Sequence, residues 1–169
     1  MRSVSINDEP PVFDVESLVR AEIFLVWLNG DQLELTGPDG PIPWVIQLDD
    51  VEHPVQAVER IVRGLVGAPL LVHSTSWRRD GAAVILSFVA VIGSEQRGGM
   101  ASAPVPHAEL ARSEATSAPA TIAHAQVLEH GLRHLAWLAQ DDQVVAERLS
   151  PGWHRALADY VPEPFRNLP

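Results

Sequence analysis

The sequence contains no cysteine, which removes disulfides, thiolate metal sites and cysteine nucleophiles in one step. Long apolar runs are missing as well; none reaches the roughly 18–20 residues that a membrane span requires. The segment Met1 to Val19 holds Asp8, Glu9, Asp14 and Glu16 and no apolar stretch, so no secretory signal is expected there. Basic side chains are scarce, 12 against 22 acidic ones, and the formal net charge is −10. Apart from the pair Arg78–Arg79 they are scattered, whereas a phosphate backbone needs a concentrated basic footprint. Nucleic acid and membrane are therefore not expected as partners, and the expected setting is the cytoplasm, where an acidic surface keeps a protein soluble. No Gly-x-Ser-x-Gly elbow or phosphate-cradling glycine loop occurs, and there is no internal repeat.

What is present suits one α/β (α+β) fold. In 169 residues the apolar fraction is 46% and the charged fraction 20%, enough to bury a core. A lead-in with Pro10–Pro11 precedes Ala21–Leu28 (AEIFLVWL), then Asn29-Gly30-Asp31, then Gln32–Thr36 (QLELT). An Asn-Gly pair between such runs predicts a hairpin with two positive-φ positions. After the turn-rich Gly37–Pro43, Trp44–Leu48 reads as a third strand. Pro54–Val66 carries Val58, Val62 and Leu65 at helical spacing, with Glu59 and Arg63 four apart on its polar side. Gly67 and Pro69 stop it. Leu70–Trp77 and Ala82–Ile92 then form two strands around the turn Arg78-Arg79-Asp80-Gly81. The second is almost wholly apolar and belongs at the sheet centre. Gly93–Pro119 is a long connection that includes a short strand or a mobile stretch. Helices follow at Thr121–Ala139, Gln143–Leu149 and about Trp153–Tyr160, the last opened by Ser150-Pro151.

This order of elements, together with particular residues in its middle, resembles a Nudix domain. The Nudix box runs Gly, five residues, Glu, seven residues, Arg-Glu-hydrophobic-x-Glu-Glu-x-Gly-hydrophobic. Glu52 and Arg60 stand at the required separation, Gly67 falls on the late glycine, Pro54 and Ala57 match common choices between them, and Trp44 resembles the Trp that leads the strand into the box. The resemblance implies a mixed sheet sandwiched by helices, with extra C-terminal helices. The box it implies is degenerate. Its three helix glutamates correspond to Ile61, Gly64 and Leu65, and the glycine-rich loop is replaced by Gln47-Leu48-Asp49-Asp50, several residues short of the usual spacing. Moving the register by one leaves Arg60, Arg63 and Gly64 at those positions, which restores nothing. Nudix hydrolysis uses divalent cations held by oxygen ligands, which polarise the diphosphate and activate water; the aligned residues supply none.

Other groupings of side chains also carry chemistry. Asp49, Asp50, Glu52 and Glu59 are the carboxylates near the box; they form either a displaced metal site or a solvated loop and helix start. Trp77, Arg78 and Arg79 are the ligand-binding candidates, since guanidinium groups suit phosphate or carboxylate and an indole stacks on a base. Their plain alternative is a charged hairpin tip. His130, His134 and Trp137 share one helix face, opposite the Leu128–Leu132–Leu135 stripe, and mark a candidate interface. Two histidines four apart bind Zn²⁺ only with further ligands, and His124 lies off that face. Trp137, Trp153, Tyr160 and Phe165 would anchor a C-terminal cap or an interface. In a regular strand His73 shares its face with Thr75, while Ser74 and Ser76 lie across the sheet.

The expected organisation is a loosely ordered lead-in over 1–19, a Nudix-like domain over 20–140, and a helical cap with a proline-rich tail over 141–169. The expected function is a non-catalytic binding or interaction module. Its partners would be another protein, a second copy of the chain, or a small anionic, nucleotide-like ligand, with no cofactor and no metal. The alternative is a divergent Mg²⁺- or Mn²⁺-dependent pyrophosphohydrolase using displaced carboxylates; a metal site on the helix histidines is a third reading.

Overall fold

The computed structural model describes residues 18–49, 51–110 and 121–161. The lead-in up to residue 17, Asp50, the end of the Gly93–Pro119 connection and the tail with Phe165 lie outside the described residues.

Six strands form one mixed sheet: β1 (Val19–Asn29), β2 (Gln32–Thr36), β3 (Trp44–Gln47), β4 (Leu71–Asp80), β5 (Ala83–Val91) and β6 (Ser102–Pro104). The order is β4-β5-β1-β2-β6, with β3 also paired to β1. Strand β1 is central. It runs parallel to β5 from Val19↔Val84 to Val26↔Val91. Its other edge is shared between β3, against Arg20–Ile23, and β2, against Leu25–Asn29. Burial on both faces explains why β1 and β5 read as nearly unbroken apolar runs rather than alternating ones.

The helices are α1 (Pro54–Val66), α2 (His124–Asp141), α3 (Gln143–Arg148) and α4 (Pro151–Ala156). Helix α1 covers one face, where Ala57, Val58 and Val62 meet Ala21, Ile23, Leu25, Phe88 and Ala90. The other three cover the opposite face. There Val127, Leu128, Leu132 and Leu135 of α2 pack with Phe24, Val26, Val89 and Val91, and Val145, Trp153 and Tyr160 close the same core. Each such large apolar side chain contributes ~1.5–3 kcal/mol on burial. At Gly131 a Cβ would lie 2.7 Å from Val89 Cγ2 and 3.3 Å from Thr75 Cγ2, so the missing side chain sets how closely α2 approaches the sheet.

Helix boundaries follow the sequence signals at α1, whereas α2 runs His124–Asp141 instead of Thr121–Ala139 and α4 runs Pro151–Ala156 instead of about Trp153–Tyr160. Pro54 opens α1, and Gly67 ends it at φ 91°, donating its N–H to the Arg63 carbonyl. Gln96 then clasps that end, donating from Nε2 to the carbonyls of Val66 and Ala68 while its Oε1 accepts from Gly93 N–H. Asp142, between α2 and α3, caps α3 by accepting from Val144 and Val145 N–H. Ser150 takes the cap position before Pro151, without a side-chain bond to the helix.

Both hairpin turns differ from the sequence expectation. Strand β1 continues through Asn29, which pairs with Gln32, so the turn is Gly30-Asp31 with Gly30 alone at positive φ (65°). Strand β4 continues through Arg78, Arg79 and Asp80, and its turn to β5 is Gly81-Ala82 with Gly81 at φ 58°. In each case pairing extends until two residues remain and glycine takes the first central position, a favoured tight hairpin. The long connection supplies β6, an edge strand antiparallel to β2, and a 3₁₀ turn at Ser94–Arg97.

Candidate functional site

Glu52, just before α1, meets Arg60 of that helix. Arg60 donates from Nη2 (2.8 Å) and Nε (3.1 Å) to one Glu52 carboxylate oxygen. Glu59 accepts from Arg63 Nη2 at 2.9 Å. Of the four carboxylates near the box, Glu52 and Glu59 are thus each paired with a guanidinium group of α1, while Asp49 is exposed. Ile61 is half-buried, while Gly64 and Leu65 are exposed, Leu65 to 44%. No oxygen ligand sits at these three positions, and Asp50 lies outside the described residues. Among the described residues, no three of His, Asp and Glu converge as a metal-holding group, either here or around His130 and His134.

The trio Trp77, Arg78 and Arg79 separates. A β-bulge between Ser74 and Ser76 inserts Thr75 into β4, which reverses the facing of every later residue. Ser76 therefore pairs with Ser87 on the α2 face, and so does Arg78 with Ile85, correcting the expectation drawn from a regular strand. Arg78 points inward and clamps Glu22 with two bonds, Nη1 at 2.7 Å and Nη2 at 2.9 Å. Ser87 Oγ donates to the same carboxylate at 3.2 Å, and His124 Nδ1 lies 3.5 Å away. Glu22, 1% exposed, is the centre of this network. Its sequence signal was a lone acid within AEIFLVWL; the partner was hidden by the bulge. Trp77 falls on the opposite face at 68% exposure, and Arg79 is exposed beside it.

The candidate interface of His130, His134 and Trp137 turns toward the edge strand. His73 Nε2 and His134 Nδ1 are 2.8 Å apart. The His134 ring stacks on Trp137 at 5.2 Å and lies parallel to His130 at 6.4 Å. Burial, with the neighbouring His134, pushes the His73 imidazole down to about 4, so it is neutral at pH 7. Sequence reasoning placed these α2 residues correctly on one face but missed that β4 supplies the fourth member.

Two buried carboxylates were not singled out beforehand. Glu34 accepts from Ser102 Oγ and from Asn29 Nδ2 (2.7 Å), and these bonds, Ser102's first, hold it below the usual carboxylate range. Arg97, which lies 5.0 Å over the Trp27 ring, adds to that lowering. Glu129, 2% exposed, accepts from Arg133 Nε at 2.7 Å, with His107 Nδ1 at 3.4 Å. His107 in turn stacks on Tyr160 at 4.6 Å. Beside that pair lies a cavity of about 400 Å³, walled by the Gly30-Asp31 turn, the stretch after β6, and α4 with its following turn.

By sequence the chain matches no protein-family model and no curated protein. By structure it is similar to the Nudix-like NrtR of Shewanella oneidensis. The TM-score is 0.54 at 14% identity, covering 84% of this chain and 78% of that one. A second structure of NrtR, complexed with a 27mer DNA, matches at TM-score 0.52 and 14% identity, covering 84% and 76%. That complex corrects the exclusion of nucleic acid: a chain sharing this fold is crystallised on DNA, and a formal charge summed over a whole chain does not decide what one face of the fold carries. No helix among the described residues is long and apolar enough to cross a membrane. The mixed sheet held between α1 and the C-terminal helices is a Nudix-like fold.

Proposed function

We propose that this chain is a non-catalytic Nudix-like module, which binds through the scaffold without hydrolysing a diphosphate. The observation that carries this reading is the edge of α1, where Ile61, Gly64 and Leu65 stand at the box's glutamate positions and Arg60 and Arg63 occupy the adjacent Glu52 and Glu59. Magnesium needs several oxygen ligands in near-octahedral array, and a bridging metal is what would activate water and polarise the diphosphate here. Competing for Glu52 and Glu59, a metal would also have to displace two guanidinium groups. The test is incubation with nucleoside and sugar diphosphates in Mg²⁺ or Mn²⁺. Absence of product supports the proposal, and turnover that Glu52→Gln or Glu59→Gln abolishes establishes the displaced-carboxylate enzyme instead.

The DNA complex of the NrtR neighbour favours a second reading, in which the module's partner is duplex DNA. Arg79 on β4 is exposed and has no ion-pair partner among the described residues. Fluorescence anisotropy with a labelled 27mer duplex tests this. Binding through this arginine weakens with salt and falls in Arg79→Ala; no binding at low salt removes DNA from this reading.

A further inference from the structure

We infer that the cavity between the β1–β2 turn and α4 binds a small organic cation, a compact molecule carrying an amine or guanidinium group. Its volume, about 400 Å³, falls within the range of small-molecule sites. Leu33, Val105, Ala156 and the largely buried Tyr160 supply the apolar part of a lining that is otherwise polar, from Asp31, Gln32, His107, Arg155 and Asp159.

The charges around it select the sign of the ligand. Arg155 is already taken, donating from Nη2 to Asp31 at 2.7 Å and from Nε at 3.2 Å. His107, when protonated, faces Glu129. Asp159 has no ion-pair partner among the described residues, so the lining carries one uncompensated carboxylate. The same field acts on the Tyr160 phenol, whose pKa is pushed up to about 12 by burial and then by Glu129 and Asp159. An amine entering here gains a charge-assisted hydrogen bond to Asp159; an anion meets the same carboxylate with no free guanidinium to offset it. The cavity belongs to the face covered by α2 and α4, opposite α1, so the inference is independent of the box helix.

Agmatine, with a guanidinium at one end and an amine at the other, is a suitable probe for calorimetric titration of the full chain. Salt of about 0.15 M limits non-specific attraction, because the screening length is then about 8 Å. Adenosine monophosphate and glutamate serve as anionic controls. The expected result is one saturable site for agmatine and none for the anions. Affinity should fall roughly tenfold or more in Asp159→Asn while the thermal midpoint is retained, and Ala156→Leu, which fills part of the cavity, should also weaken binding. Failure of agmatine to saturate, equal uptake of the anions, or unchanged affinity in Asp159→Asn overturns the inference.

Discussion

Glu22 sits in the most buried strand of the molecule, where an ionised carboxylate without partners would cost several kcal/mol. Arg78 meets it with two bonds and Ser87 with a third. Removing one member of such a pair strands the other, so Arg78→Met is expected to lower the unfolding free energy by about 3–5 kcal/mol. The Arg60–Glu52 pair lies at the surface, with the Arg60 side chain 64% exposed, and such pairs contribute little. Arg60→Met should leave the urea midpoint nearly where it was. Comparable losses in the two variants would mean that Glu22 is not the charge centre described. At this scale the sequence was half legible. Glu22, a lone acid in the apolar run AEIFLVWL, was not singled out, whereas Pro54 and Gly67 were read as the bounds of α1 that the fold shows. What could not be read was the facing of Arg78, because parity arguments assume an uninterrupted strand and one inserted residue reverses them.

At the scale of elements, α2 lies against the sheet through Gly131 and the His73–His134 pair. Alanine is the better helix former by roughly 1 kcal/mol, yet a Cβ at 131 meets the buried Val89 at 2.7 Å. Gly131→Ala should therefore destabilise by about 1–3 kcal/mol, the usual cost of overpacking; a stabilised variant would show that α2 shifts freely. The histidine pair adds a pH dependence. His73 titrates near 6.5 when unfolded and about 4 when folded, so between those values the unfolded chain binds more protons. The stability it contributes is complete above about 6.5 and is lost as pH falls toward 4. Urea midpoints at pH 7.5 and 4.5 should accordingly differ more in the unaltered chain than in His73→Gln, and equal differences would count against the buried neutral imidazole. Helix α1 was legible to the residue because proline, apolar spacing and glycine all marked it. The two hairpin turns were each misplaced, because turn residues suggest where a chain can reverse, whereas strand pairing decides how far it continues first. The partner of the α2 histidine face was illegible for another reason: His73 and His134 are 61 positions apart, and only the folded sheet brings them together.

For the whole molecule, β1 in the middle of a mixed sheet and one helix layer on each face place the box helix and the 400 Å³ cavity on opposite sides. That architecture was anticipated through the resemblance to a Nudix domain, not from turns and periodicity alone, and NrtR shares it at 14% identity. Charge was a poorer guide, since a total of −10 did not justify excluding DNA for a fold that elsewhere is crystallised with it. The fold alone does not determine chemistry; in the proposed function the side chains along α1 do. The most direct measurement is calorimetric titration of Mg²⁺ and Mn²⁺ into the chain, with Glu52→Gln as comparison. No saturable metal binding beyond that of Glu52→Gln is predicted, since Ile61, Gly64 and Leu65 offer no oxygen and Arg60 holds Glu52. A stoichiometric metal bound by the unaltered chain and lost in Glu52→Gln would contradict the account.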